Sequence, residues 1–359
     1  MSDTEELAIS IIRRVASLWQ IDQDRSTLFD DGFDWWPGHF CVQFRVVEEE
    51  GRNDVRVSVR TDFLKDVPIA EDKFIELSAA FSLKATPTYA WIYPPDDFWN
   101  HLHPTPTKET PRLQFSSTAY VTEEMSGWLT DFVAGMAIIQ PINADIHAKS
   151  MQEAIGGTWD VSGPMVSSDV GYDQMTETLE LVYGPVGQEP NRWIGSLEFE
   201  EFAEQWGRSD LCFGMGDPSG LTLETPLGSG SIMIRLRTNQ KHPQLGQGLL
   251  GTIQFPFFGG ANEIARLSAE LNFLESWQWT QFPQNGCWHV VEGEGDQYGL
   301  AFSTFVPNAL HRPGIATNLA IWLFSRARWA RDQKWSDVKD EPMHEIISRR
   351  VAAARGSVH

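Results

Sequence analysis

Two stretches of this chain resemble each other and decide its fold: Gly38-His-Phe-Cys-Val-Gln-Phe-Arg45 and Gly228-Ser-Gly-Ser-Ile-Met-Ile-Arg235. The second stretch begins 190 positions after the first, and towards its end every other residue is large and apolar, as in the first. This period of two is typical of a half-buried β-strand. We therefore predict an internal duplication, with these two strands at equivalent places.

Further matches follow in the same order along the chain. They pair Leu77-Ser-Ala79 with Leu267-Ser-Ala269, Tyr89 and Ile92 with Trp279 and Phe282, and, 187 positions apart, Leu113-Gln-Phe-Ser116 with Leu300-Ala-Phe-Ser303. The alternative is that both halves share only generic strand and helix patterns.

Apolar periodicity predicts the same elements in both halves: a helix, then strand–strand–helix–strand–strand–helix. The first-half helices are predicted at 5–19, 71–83 and 124–140, the last ended by Pro141, and the strands at 40–47, 55–59, 89–93 and 113–121. The second-half helices are predicted at 197–206, 261–277 and 315–331, and the strands at 231–237, 249–255, 287–291 and 298–306, with a hairpin turn at Asn285-Gly286 between 279–282 and 287–291.

Hairpins outnumber βαβ crossovers in this order, so the predicted fold class is α+β. We expect two related domains, each a mainly antiparallel sheet with helices packed on one face. The predicted boundaries are 1–155 for the first repeat, 156–190 for a linker with one strand at 179–183, 191–335 for the second repeat and 336–359 for a helical tail.

The composition limits the classes of function. Lys and Arg number 28 and Asp and Glu 49, giving a net charge of −21 that repels a phosphate backbone and argues against nucleic-acid binding. The polar start of the chain predicts no secretory signal, and no apolar run is long enough to predict a membrane span. Three widely spaced cysteines, Cys41, Cys212 and Cys287, fit reduced thiols. The predicted location is the cytoplasm.

Three short motifs are candidates for metal or nucleophile chemistry. His101-Leu-His103 and Asp145-Ile-His147 each place two metal-binding side chains two apart, but no third ligand completes either set. Cys287-Trp-His289 would put a thiol and an imidazole on one side of a strand, where core packing is the favoured interpretation. No catalytic residue and no metal site is therefore predicted.

Glycine-rich stretches are the candidates for a cofactor site. Gly246-Gln-Gly-Leu-Leu-Gly251 has the glycine spacing of a dinucleotide fingerprint, but it runs into a predicted strand rather than opening a helix. Gly259-Gly260 precedes a predicted helix, and there a structural turn is favoured over an anion site. No cofactor is predicted.

Trp35 and Trp36 are the predicted partner-binding residues. They are adjacent and lie just before the first strand, so both cannot point inward if the chain is extended there. Tryptophan is enriched at interfaces, and the alternative is burial at a domain seam.

The element order and the acidity of the units at 40–59, 71–83, 89–121 and 125–140, and of their second-half counterparts, resemble the type III secretion chaperone-like fold, which is also that of YbjN-type regulators. The resemblance implies units that pair as dimers and bind protein segments on exposed apolar surface, without catalysis. Two fused copies would then form a dimer within one chain. The proline-rich segment 94–111 departs from a compact unit, and no functional residue carries over.

The expected function is therefore a non-enzymatic protein-binding module, such as a chaperone, adaptor or regulator, with an apolar groove on an acidic body. Its partner would be another protein, with a basic one favoured, and its own state either a monomer with an internal pseudo-dimer or a homo-oligomer. One alternative is a hydrolase or transferase assembled in space around His101 and His103 or around Cys287 and His289. Another is small-ligand binding at the interdomain seam.

Overall fold

A computed structural model describes residues 3–21, 23–48, 51–68, 89–93, 112–161, 190–196, 198–206, 212–227, 230–242, 245–277, 282–293 and 298–332. In these residues the chain forms two antiparallel sheets with helices, which confirms the predicted α+β class with two sheet-containing domains.

The helices and strands of both halves have the following bounds. The helices are α1 (Asp3–Leu18), α2 (Ser126–Ala137), α3 (Ile139–Ile155), α4 (Glu198–Trp206), α5 (Ala261–Trp277) and α6 (Ile315–Asp332). The first-half strands are β1 (Ser26–Phe29), β2 (Gly32–Trp35), β3 (Val42–Glu48), β4 (Val55–Lys65), β5 (Tyr89–Tyr93), β6 (Arg112–Val121) and β7 (Thr158–Trp159). The second-half strands are β8 (Phe213–Asp217), β9 (Gly220–Leu227), β10 (Gly230–Arg237), β11 (Lys241–His242), β12 (Gly246–Gly259), β13 (Cys287–Glu292) and β14 (Tyr298–Pro307).

The two sheets share one topology. The first has the strand order β1-β2-β3-β4-β6-β5, with β7 added to β4, and the second has the order β8-β9-β10-β12-β14-β13, with β11 added to β12. In each sheet four strands form a meander, and the fourth of them also pairs with one strand of a two-stranded antiparallel unit. This match supports an internal duplication.

The strand register corrects part of the sequence alignment. Gly32 pairs with Arg45 in the first sheet and Gly220 pairs with Arg237 in the second, so the counterpart of Arg45 is Arg237 rather than Arg235. Strand β13 pairs with β14 as β5 pairs with β6, so the counterpart of β5 is β13 and not the segment around Phe282. The pairings of β6 and β14 agree with the predicted offset of 187 positions.

Two further predictions need correction. The outer strands β1, β2, β8 and β9 were not predicted, so each meander has four strands where two were expected. The helix predicted to end at Pro141 instead continues as α3 after a break at Ile138. Pro141 lies in the first turn of α3, where a missing N–H costs little. The predicted helix at 71–83, the strand at 179–183 and the tail at 336–359 lie outside the described residues.

A core of apolar side chains lies between the helices and one face of each sheet, and it continues from one half into the other. In the first half, Val42, Phe44 and Val57 point from the sheet towards Ile11 and Val15 of α1. At the seam, Trp128 of α2 stacks on Trp322 of α6 with 5.9 Å between ring centroids. Among the described helices, none is both long and apolar enough to span a bilayer.

Candidate functional site

The predicted partner-binding tryptophans have different environments. Trp35 is fully buried and stacks on Trp19 with 5.7 Å between ring centroids, so it belongs to the core and no partner can reach it. Trp36, the next residue, is half-buried, and its backbone N–H donates to the carbonyl of Arg25 at 2.9 Å. The prediction is therefore wrong for Trp35 for reasons of burial, and for Trp36 it stays a prediction.

The Cys287 and His289 side chains share one side of β13, but they do not form an activated pair. Cys287 is buried, and burial raises the pKa of its thiol to about 12, with the charge of Glu275 adding to the shift. A thiol with such a pKa is protonated at neutral pH and is a poor nucleophile. His289 contacts a different residue, with its Nε2 2.6 Å from the Oγ of Ser303.

The other metal candidates do not assemble either. His101 and His103 lie outside the described residues. Asp145 and His147 lie two apart on α3, and on a helix that spacing places side chains on different faces. Asp145 instead contacts His39, with its Oδ1 2.9 Å from Nδ1. No group of three or more His, Cys, Asp or Glu side chains within the described ranges is placed to hold a metal ion.

The two glycine motifs lie in surroundings that do not suit a cofactor or an anion. Gly246 opens the long strand β12 and Gly251 lies within it, so this motif does not form a strand–turn–helix unit. Gly259 and Gly260 precede α5, as predicted. A Cβ at Gly259 would lie 2.8 Å from the Oε2 of Glu263, which places a carboxylate beside the first turn of α5. That negative charge opposes anion binding there.

A cavity of about 370 Å³ lies on the face of the second sheet that points away from the core. The cross-strand pairs align one row of side chains across this face: Met215, Thr222, Arg235, Thr252, Ser303 and Cys287. Arg235, Thr252 and Ser303 of this row line the cavity, together with Arg237 and Gln254. The volume falls in the range of small-molecule sites.

The hydrogen bonds behind this cavity fix the state of the Ser303 hydroxyl. Burial lowers the pKa of His289, so its ring is neutral at pH 7. Its Nδ1 lies 3.1 Å from the carbonyl oxygen of Val290, which can only accept, so Nδ1 carries the proton. Nε2 is then an acceptor, and the hydroxyl of Ser303 donates to it. The lone pairs of Ser303 Oγ remain free to accept a hydrogen bond.

A second cavity, of about 260 Å³, lies at the seam between the halves. Its walls include the stacked Trp128 and Trp322, the aromatic rings of Tyr120 and Phe282, and the carboxylate of Asp54. Both oxygens of Asp54 accept hydrogen bonds from Arg52, at 2.6 Å each. This cavity could accommodate a small ligand at the seam, and such binding stays a prediction.

The outer strands β1 and β8 carry exposed apolar side chains. The large apolar residues that are exposed in the described part of the chain are Leu28, Phe29, Ile146, Val161, Ile194, Phe213, Met215 and Ile321. Four of these eight lie on the two equivalent edge strands: Leu28 (65% exposed), Phe29 (44%), Phe213 (64%) and Met215 (58%). Gly214 and Gly216 face α4, so Phe213 and Met215 point to the opposite side.

The sequence patterns did not predict these edge strands, nor did they indicate Arg235 and Ser303 as site residues. One signal was available for β8: the alternation Phe213-Gly-Met-Gly, followed by the turn sequence Asp217-Pro-Ser-Gly220. No such signal marks Arg235 and Ser303, because their juxtaposition depends on the pairing of three strands.

Scans against protein-family models, curated proteins and solved structures found no match to this chain.

Proposed function

We propose that this chain is a protein-binding module that takes up an extended segment of a partner at the edge of its second sheet. The proposal rests on one observation, the concentration of exposed apolar side chains on the equivalent edge strands β1 and β8.

A free sheet edge can recognise an extended peptide. Within the described residues β8 pairs only with β9, so its other side offers unpaired backbone N–H and C=O groups. Natural proteins commonly protect such edges with lysine, proline or a bulge. β8 has none of these and instead exposes Phe213 and Met215. Strand addition would satisfy the backbone groups and cover both side chains.

The charge of the surroundings favours a basic partner segment. Asp217 ends β8, and Glu224 lies opposite Phe213 on β9. At the equivalent edge of the first sheet Asp30 and Asp31 follow β1, and the whole chain carries a net charge of −21. A segment that alternates apolar and basic side chains would place the apolar set against Phe213 and Met215 and the basic set on the side of α4. The exposed side chains of α4 on that side of the sheet include Glu200, Glu201 and Glu204.

The test uses a fluorescent decapeptide of alternating valine and lysine, titrated with the full chain and followed by anisotropy. We expect wild-type protein to bind it and the F213T/M215T variant to bind about tenfold more weakly or not at all. Threonine preserves strand propensity at these exposed positions. The matched control is Val161→Thr, an exposed and nearly isosteric change outside both edges, which should bind like wild type.

Two further probes separate strand addition from charge attraction. A valine–glutamate decapeptide should not bind, and neither should the valine–lysine peptide with methylated backbone nitrogens, which cannot donate to a strand edge. Equal binding of all three peptides, or unchanged binding by F213T/M215T, contradicts the proposal. Wild-type self-association in sedimentation that disappears in F213T/M215T would instead assign the edge to a second copy of the chain.

A further inference from the structure

The cavity on the second sheet is lined by a guanidinium, that of Arg235, which has no carboxylate partner among the residues that the structure describes. Several of the described arginines have one, as in the pairs Arg14–Asp131, Arg45–Asp34, Arg52–Asp54, Arg60–Asp62, Arg326–Glu275 and Arg331–Asp332. Among the described residues, no carboxylate lies within ion-pair distance of Arg235, although acidic residues far outnumber basic ones in this chain. Arg235 is half-buried and lines the cavity.

The neighbouring Arg237 has a structural role. Its Nη1 donates to the carbonyls of Leu221 and Leu236 at 3.2 and 3.1 Å, and its Nη2 donates to the Oγ1 of Thr222 at 2.8 Å. Hydrogen bonds from Ser219 lower the pKa of Asp217, and the positive charge of Arg237 adds to this shift. Arg237 therefore adds to the positive potential of the cavity, but the guanidinium of Arg235 is the group that remains available for a ligand.

The opposite side of the cavity offers a hydrogen-bond acceptor. Thr252 pairs with Arg235 on one side and with Ser303 on the other, so Arg235 and Ser303 lie two strands apart, at about 10 Å between backbones. The hydroxyl proton of Ser303 is held by His289, which leaves the Ser303 oxygen as an acceptor. A small molecule with an anionic group at one end and a hydroxyl or amine at the other would match both sides.

We propose that this cavity binds one small anionic ligand, with a carboxylate or phosphate group on Arg235 and a hydrogen-bond donor on Ser303. The planar guanidinium is suited to both kinds of anion. This site is independent of the edge of β8, because Phe213 and Met215 do not line the cavity.

The first sheet does not repeat the site. The register places Gln43 at the position of Arg235, Arg60 at that of Thr252 and Asp62 at that of Gln254. Arg60 donates to Asp62 at 3.1 Å, so the cation there is already neutralised by the chain itself. The proposal therefore predicts one ligand for each chain rather than two.

Calorimetric titration of the full chain tests the proposal, with glycerol 3-phosphate, lactate, inorganic phosphate and glycerol as probes at low ionic strength. We expect glycerol 3-phosphate or lactate to bind with a stoichiometry of one, and the uncharged glycerol not to bind. Whether the phosphate or the carboxylate probe binds more tightly identifies the anionic group. If none of the three anions binds, the proposal is overturned.

Substitutions assign the two contacts. Arg235→Gln should weaken binding of the anion by about tenfold or more, whereas Arg235→Lys should lose less because it keeps the charge. Ser303→Ala should weaken binding of the hydroxyl-bearing probe and leave inorganic phosphate unchanged. The matched control is Arg13→Gln, which removes the same charge from an exposed position on α1. Equal losses of affinity in Arg13→Gln and Arg235→Gln would show that only the net charge of the chain matters, and this would refute the site.

Discussion

Arg45 and Arg237 occupy equivalent places in the two sheets and make equivalent hydrogen bonds. Arg45 Nη1 donates to the carbonyls of Phe33 and Phe44, both at 2.9 Å, as Arg237 Nη1 does to the carbonyls of Leu221 and Leu236. Nη2 of each donates to the side chain of the next residue on the partner strand, Asp34 or Thr222. The same local device thus joins the second and third strands of each sheet.

The glycine opposite each of these arginines should be essential for stability. Gly32 and Gly220 have φ of 156° and 157°, and a Cβ on either would overlap the carbonyl oxygen of Phe44 or Leu236. We expect Gly32→Ala and Gly220→Ala each to lower the free energy of unfolding by about 2–4 kcal/mol in urea titrations. Gly127→Ala, on α2 with open space around it, is the control and should change it by less than about 1 kcal/mol. Losses no larger than the control's would contradict this packing.

The buried pair of Glu275 and Arg326 should be costly to break. Arg326 donates to Glu275 Oε1 at 2.8 Å and to the carbonyl of Pro283, and Trp288 donates to Glu275 Oε2. We expect Glu275→Ala to lower the free energy of unfolding by about 3–5 kcal/mol, because it leaves a buried cation uncompensated. Asp332→Ala, in an exposed pair with Arg331, should cost less than about 1 kcal/mol. Chemical denaturation of both variants measures the two losses. A loss for Glu275→Ala as small as that for Asp332→Ala would contradict a buried pair.

The stability of the protein should fall in mild acid, in part through His242. Burial lowers its pKa to about 4, and its Nδ1 accepts the N–H of Leu245 at 3.1 Å. Below pH 6.5 the unfolded chain takes up a proton on this histidine that the folded chain does not, so stability is lost as the pH falls from about 6.5 to about 4.

Comparison with His242→Asn isolates this effect, because the amide oxygen can accept the same N–H and does not titrate. Between pH 7 and pH 5 wild-type protein should lose about 2 kcal/mol more stability than the variant, as measured by urea titrations at each pH. Parallel pH profiles for the two proteins would show that His242 is not buried as a neutral ring.

The cysteines should be inert in the native state. Cys41, Cys212 and Cys287 are all buried, and burial raises the pKa of the Cys41 and Cys287 thiols. Iodoacetamide at pH 8 should therefore label none of them within the time in which it labels all three in urea, as read by mass spectrometry. Rapid native labelling of Cys287 would instead favour an activated thiol–imidazole pair of Cys287 and His289.

Sequence periodicity was most reliable where one face of an element is buried along its whole length. The helix α1, the strands β3 and β6, and the helices α5 and α6 all lie close to their predicted bounds. The edge strands escaped prediction because they bury little: β1 has no buried residue, and β8 alternates exposed apolar side chains with glycine. Pro141 gave a wrong helix end because proline is tolerated in a first turn.

The amino-acid sequence by itself determined the α+β class, the repetition of elements in two halves, and the net negative charge. These properties follow from local periodicity and composition, which need no knowledge of distant contacts. Only the tertiary structure decided that Trp35 is buried, that Arg235 and Ser303 line one cavity, and that β1 and β8 lie at sheet edges. Those facts depend on which strands pair and in what register, and side chains far apart in sequence meet only after that pairing.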